Sequence, residues 1–390
     1  MKQIILTSSL FVLICSSISA VSGGNVFCYF ASWTTYRPGN GKFDVSNIDP
    51  SLCTHISFAF VGVGENATVR IIDPWESNED YGPKGFEHLV GLKQQHPNLK
   101  VLLSMGGWNE SSSKFSYVAR YPELRKRLAS NVLAFVKQWK FDGFDLDWEY
   151  PGFRDGSNPA LDRDDYTALM SDLRDVLAPE GYILSGAVSG AINRIKISYD
   201  IPALNKLMDY INIMVYDFHG SFDPYVGHVS PLYASSLDSS HGDNVTYNVA
   251  SGIEYWLDNG ADPSKINLGI VTYGRSFTLA DESNTELYAP IKGGGEEGPY
   301  TRQEGILGYN EICELHSDWT YVRDDEQKVP HRISGNQWVG YEDVRSITYK
   351  TDYAISKNLG GMMVWAFDND DFRGICGDKY PLMNVLQKIR

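Results

Sequence analysis

Positive charge is scarce in this chain of 390 residues: 34 Lys and Arg stand against 49 Asp and Glu, giving a net charge of -15 and a pI near 5.0. With no basic stripe to neutralise phosphates, nucleic acid is excluded as a partner, and repulsion from anionic headgroups excludes membrane surfaces. Cysteine is also sparse, five in all, with no C-x-x-C spacing, and the eight histidines form no H-E-x-x-H or comparable pair. No metal is therefore expected, structural or catalytic, and no cofactor. Past the first residues no apolar run is long enough to span a bilayer, and no internal repeat, Ser/Thr-rich linker or Cys-rich tail is found. What is abundant is apolar: 43% hydrophobic and 13% aromatic, which excludes disorder and fills one large domain or two of ordinary size.

The single long apolar run opens the chain. "MKQIILTSSLFVLICSSISAVSG" has a short basic start, an apolar middle and small residues from Ser16, the layout of a secretory signal peptide over residues 1–22. As a membrane anchor it falls short of the ~18 to 20 apolar residues a span needs. A secreted, extracellular protein is expected. Cleavage removes Cys15 and leaves Cys28, Cys53, Cys313 and Cys376, an even set that favours two disulfides in an oxidising compartment. Sequons stand at Asn66, Asn109 and Asn244. Asn66 and Asn244 are the glycosylation candidates.

Eight short apolar or β-branched runs recur along the chain: "NVFCYFASW" (25–33), "THISFAFVGV" (54–63), "LKVLLSMGGW" (99–108), "FDGFDLDWEY" (141–150), "YILSGAVSG" (182–190), "YINIMVYDF" (210–218), "KINLGIVTYG" (265–274) and "GGMMVWAFDND" (360–370). Between them lie segments with apolar residues at helical spacing, such as "YPELRKRLASNVLAFVKQW". Regular alternation of strand and helix calls for a parallel sheet covered on both faces, and eight units point to a TIM (β/α)8 barrel rather than a doubly wound sheet. "VGVGENA" imitates a dinucleotide loop, but "TVRIIDPW" after it does not open a helix. The interval 276–340, rich in turns and aromatics, is too long for a βα loop and reads as a small α+β insertion after strand seven. The barrel then comprises residues 23–275 and 341–390.

The run "FDGFDLDWEYP" raises a chemical question, because an unpaired buried carboxylate is costly. Alternation along a strand puts Asp145, Asp147 and Glu149 on one face and Phe144, Leu146 and Trp148 on the other. The apolar set faces the helices, so the acidic set points into the barrel, with Glu149 emerging last at the carboxyl end, where barrel chemistry is located. Crowding and desolvation should raise at least one pKa and leave a protonated acid near neutral pH, as a general acid requires. Asp142, of opposite parity, supports the start of the strand. A structural ion-pair cluster would need cations that the inward positions do not supply.

"DGFDLDWEYP" resembles the D-x-x-D-x-D-x-E signature of family 18 glycoside hydrolases, the chitinases. The likeness continues in order through "FCYFASW", "LCTHISFAF", "VLLSMGGWNE", "MVYDFHG", "TYGRSF", "GILGYNEIC", "NQWVGYED" and "GGMMVWAFDNDDFRGICG". It implies an endo-acting secreted chitinase in which Glu149 protonates the glycosidic oxygen while the substrate's own acetamido carbonyl attacks the anomeric carbon. Asp147 would then hold the acetamido N–H, Asp145 would set the protonation of Asp147, Tyr216 would bond the acetamido oxygen and Asp217 would contact the sugar. Trp33, Trp108 and Trp365 are expected to stack on pyranose faces, with Tyr29, Phe60, Asn109, Met214, Tyr273 and Arg275 also lining the cleft. Phe222 departs from the Trp of many animal relatives and puts one product-side subsite in doubt. Asn109, beside Trp108, is expected to carry no glycan. The resemblance also pairs Cys28 with Cys53 and Cys313 with Cys376. Chitin and chitooligosaccharides are the implied partners, and a monomer is expected. The rivals are a non-catalytic chitinase-like lectin or growth-factor-like protein and an enzyme acting on the chitobiose core of N-glycans.

Overall fold

The computed structural model describes residues 23–77 and 84–390, so the expected signal peptide lies outside the described residues. Eight parallel strands close into a barrel: β1 (Asn25–Ala31), β2 (His55–Val63), β3 (Lys100–Gly106), β4 (Gly143–Asp147), β5 (Ile183–Ser189), β6 (Tyr210–Met214), β7 (Ile266–Val271) and β8 (Gly361–Trp365). Each pairs with its sequence neighbour, and β1 closes the ring by pairing with both β2 and β8. This is the TIM barrel that the alternation of strand and helix predicts. The helices Pro122–Trp139, Asp162–Leu177, Val249–Asp258 and Val344–Ser356 lie among those between strands. Pro122 opens the first of these at a position where its missing N–H has no intrahelical role.

Two apolar layers follow from the alternation. Outward residues such as Phe144, Leu146, Trp148, Val101 and Leu103 join the main core against the helices. Inward residues Phe27, Tyr29, Leu102, Ala187, Met214 and Met363 fill the barrel. The stretch after "VGVGENA" forms no helix: Val69–Ile71 pairs antiparallel with the end of β2. Among the described residues no helix is long and apolar enough to cross a membrane.

Between β7 and β8 stands a second, antiparallel sheet in the order Ile291–Gly294, Tyr273–Leu279, Gln337–Gly340, Val329–Ser334, Thr320–Asp324, with the helix Tyr309–Leu315 beside it. Its own core contains Phe277, Leu279, Ala289 and Trp338. The sheet opens at Tyr273, earlier than the expected 276, because "KINLGIVTYG" spans two strands that part at Thr272. Tyr273 and Arg275 thus belong to the insertion rather than to the barrel. Disulfides join Cys28 to Cys53 and Cys313 to Cys376, the latter tying the insertion's helix to the segment after β8. A fully buried ion pair between Lys350 and Glu342 secures the insertion's exit, with Lys350 Nζ also donating to Ser230 Oγ at 2.8 Å.

Candidate active site

The acidic strand β4 places its carboxylates in three different environments. Asp145 is fully buried, and neighbouring strands supply its partners in register: Ser104 on β3 and Ser185 on β5 flank it and donate at 2.7 and 2.6 Å. Tyr29 Oη donates at 2.8 Å and Asn212 Nδ2 at 3.4 Å. Burial raises the Asp145 pKa, and these four hydrogen bonds oppose the rise. Asp147 is almost as buried, but its Oδ1 has no hydrogen-bond partner. Its carboxyl is pushed well up by burial, then by the charges of Glu149 and Asp145. Glu149 lies just past the strand end and is only partly exposed. Burial pushes it up to about 7, with the Asp217 charge adding to the rise and a Tyr150 hydrogen bond and the Arg154 and Arg194 charges opposing it. A carboxyl so poised holds a proton near neutral pH and can give it up, which is what general acid–base chemistry needs.

The loop after β3 is fixed close to this group. Gly107 N–H donates to the Asp147 carbonyl at 2.9 Å, and a Cβ on Gly106 would sit 2.0 Å from that same oxygen, so only glycine permits the approach. Buried Glu110 then anchors the loop to β2 by accepting from the Val63 N–H at 3.0 Å and pairing with Arg70. Trp108 is carried outward, 56% exposed, with the Arg154 guanidinium 3.7 Å above its ring. Asn109 beside it is exposed.

The other expected residues converge from separate elements. Trp365, ending β8, stacks on Phe60 with ring centres 5.5 Å apart and lies 5.5 Å from Tyr29 and 6.1 Å from Trp33. Trp33 is 46% exposed and leaves a face open to solvent. Tyr216 lies against Met363, its Oη 3.7 Å from the sulfur, and Met214 joins the same inward cluster. Burial raises the Tyr216 pKa far above its usual range, with Tyr273, Asp147, Asp217 and Glu149 among its electrostatic neighbours. Asp217 accepts from Arg275 Nε at 2.7 Å, and its charge adds to burial in raising the Tyr273 pKa. The insertion sheet therefore contributes directly to the wall of the site. Phe222 is 62% exposed, on a loop whose Ser221 packs near Gly305 of the insertion.

Asp142 takes the role expected of it, accepting from Lys93 Nζ at 2.9 Å and from the Val101 N–H at 2.8 Å at the start of the strand. Asn66 is exposed. The Asn244 side chain is buried, and its Nδ2 donates to Tyr225 Oη at 2.8 Å and Tyr288 Oη at 3.3 Å, so a glycan on this nitrogen would replace one of these two bonds. Among the described residues, Cys313, Asp371 and Cys376 come together as metal-type ligands, and both cysteines are spent in the disulfide. Sequence reasoning missed Ser104, Ser185 and Asn212. Lone polar residues at inward positions of otherwise apolar strands were the signal.

The sequence profile of Glycosyl hydrolases family 18 matches residues 25–370. The chain belongs to glycoside hydrolase family 18. This family 18 chain is 38% identical to the Endochitinase of Manduca sexta over 384 residues, 96% of this chain and 68% of that protein. The crystal structure of the Ostrinia furnacalis Group IV chitinase in complex with allosamidin superposes with a TM-score of 0.91 at 39% identity, covering 94% of this chain and 98% of that one. Human YKL-39, described as a pseudo-chitinase with retained chitooligosaccharide binding, superposes at 0.86 with 35% identity, covering 94% and 99%. The family 18 fold thus includes both enzymes and binders.

Proposed function

We propose that this chain is a secreted chitinase that hydrolyses β-1,4 linkages between N-acetylglucosamine units with retention, Glu149 acting as general acid and then general base. The observation that carries this reading is the placement of Glu149 just past the end of the acidic strand β4, partly exposed beyond the buried Asp145 and Asp147, where burial pushes its carboxyl up to about 7. In this scheme Glu149 protonates the glycosidic oxygen as the substrate's acetamido carbonyl oxygen attacks the anomeric carbon. The C–O bond breaks, the leaving sugar departs with the proton, and an oxazolinium ion forms. Water deprotonated by Glu149 then opens the ring from the same face, so the first product keeps the β configuration.

Asp147 supplies the polar partner this chemistry needs. Its Oδ1 is a buried oxygen without a hydrogen-bond partner, suited to an acetamido N–H, and once ionised its carboxylate would stabilise the oxazolinium cation. Tyr216 lies among the same carboxyls and would donate to the acetamido oxygen. Trp33, Phe60 and Trp365 offer ring faces to pyranose C–H groups. Two disulfides suit an oxidising, extracellular setting.

The likeness to YKL-39 favours a second reading, an oligosaccharide binder without turnover. Replacing Glu149 by Gln separates the two. The variant should lose about 10²- to 10⁴-fold in turnover on chitotetraose and still bind it, because the amide keeps the shape and lacks the proton. Wild-type protein that binds chitotetraose without cleaving it would establish the binder instead.

A further inference from the structure

Lys350 is the one lysine among the described residues whose side chain is wholly buried, and the scheme above makes no use of it. It lies on the helix Val344–Ser356, where the chain returns from the insertion to the barrel. An ammonium group carries three protons, and each finds an acceptor: the Glu342 carboxylate, the Ser230 carbonyl oxygen and Ser230 Oγ, the last at 2.8 Å. Because Ser230 Oγ accepts from the cation, its own proton is free to go elsewhere, and it donates to the Val215 carbonyl at 2.7 Å. Apolar side chains of similar volume would fill this space without desolvating two charges. What the pair adds is direction, holding the Ser230 hydroxyl with its proton toward Val215.

Val215 immediately precedes Tyr216, and both lie past the end of β6, whose ladder pairings reach no further than Met214. The sheet therefore does not hold this segment. Its backbone is irregular: the Val215 N–H turns back to the Ile213 carbonyl at 3.0 Å, and Asp217 takes the left-handed conformation, φ 54°, that a residue with a side chain adopts at a cost. Support comes from outside the strand. The Val215 side chain packs against Gly190 and Gly252, where an added Cβ would fall 2.5 and 3.0 Å from its Cγ1, and the Phe218 N–H donates to the Val229 carbonyl at 3.1 Å. Ser230 holds the carbonyl between these two contacts. A peptide unit is planar, so fixing the Val215 carbonyl fixes the plane from which Tyr216 departs. The Tyr216 ring then reaches Met363, its Oη 3.7 Å from the sulfur, and passes over Gly269, where a Cβ would meet its Cε1 at 2.9 Å.

We propose that Ser230, held by the Lys350–Glu342 pair, is a positioning residue that aims Tyr216 Oη at the acetamido oxygen of the substrate. The inference rests on the role given to Tyr216 in the mechanism proposed above. Neither Ser230 nor Lys350 touches substrate, and both act through Tyr216. The insertion thereby takes a second part in the reaction: beyond the wall residues Tyr273 and Arg275, its exit at Glu342 is linked through Lys350, Ser230 and Val215 to the tyrosine. A nucleophilic oxygen displaced by ~1 Å from its line of attack can lose about 10²-fold in rate, so a fixed tyrosine matters more for turnover than for binding.

Steady-state hydrolysis of chitotetraose by Ser230→Ala, Tyr216→Phe and the double variant tests the tether. Ser230→Ala removes one oxygen and leaves Lys350 two of its acceptors. It should lower kcat about tenfold while KM changes by less than about twofold. Tyr216→Phe should lower kcat further, and adding Ser230→Ala to it should change nothing more. A wild-type kcat in Ser230→Ala would overturn the proposal. So would an equal further loss in the Tyr216→Phe background, because a general loosening of the site slows both enzymes alike. Lys350→Met combined with Glu342→Leu removes both buried charges without stranding either, and decides the question if Ser230→Ala does not fold. This pair of substitutions should also lower kcat only where the Tyr216 hydroxyl is present, and a loss that ignores Tyr216 would overturn the proposal. Tyr216→Phe with wild-type kcat would instead refute the role given to Tyr216 itself, and absence of cleavage by wild-type protein would refute the chitinase reading.

Discussion

Asp145 and Glu149 belong to one acidic run, yet they sit in opposite circumstances. Asp145 lies inside the barrel with four neutral donors converging on it, from Tyr29, Ser104, Ser185 and Asn212. Glu149 lies at the mouth, beyond the strand ladder, with its carboxyl raised to about 7. Between them Asp147 keeps one buried oxygen unpartnered. The difference teaches that a buried carboxylate becomes structural when its neighbours satisfy it and chemical when they do not. The same fold offers a third solution in Glu342, satisfied by a full cation, Lys350, where the insertion rejoins the barrel.

The contrast can be broken most severely at Asp145. Asp145→Ala strands four donors in a dry interior, and chemical denaturation should show a stability loss of about 3 kcal/mol. A loss below ~1 kcal/mol would mean that the donors find other partners. Raising the pH probes the other end of the run. Glu149 is protonated below about 7 and ionised above it, so kcat/KM should fall about tenfold per unit on the alkaline side. An alkaline limb that begins well above pH ~9 would assign the proton to another group. The smallest effect is expected at Asp142, a partly exposed carboxylate paired with Lys93. Asp142→Ala should cost about 1 kcal/mol of stability and leave turnover unchanged, which a parallel denaturation and rate measurement would check.

Much of this arrangement is legible in the sequence, for reasons that differ between elements. The eight strands announce themselves because strands buried on both faces must be continuously apolar. Their carboxyl ends are harder to read: Trp33, Trp108, Tyr150 and Tyr216 prolong the apolar pattern but lie past the last ladder bonds, where they line the mouth instead. Aromatic residues that suit a sugar and those that suit a core are the same residues, so composition cannot separate them. The break at Thr272 is hidden because no Gly or Pro marks it, and the pattern alone places Tyr273 and Arg275 in the barrel in consequence.

Proton NMR of the first products released from chitotetraose tests the central claim most directly. The claim is that Glu149 supplies the proton while the oxygen of the substrate's acetamido group, whose N–H Asp147 holds, supplies the nucleophile. Early spectra, recorded before mutarotation, should show the β anomer in excess at the new reducing end. Predominantly α product would mean that an activated water attacks from the opposite face, and would contradict the roles assigned to Asp147 and Glu149.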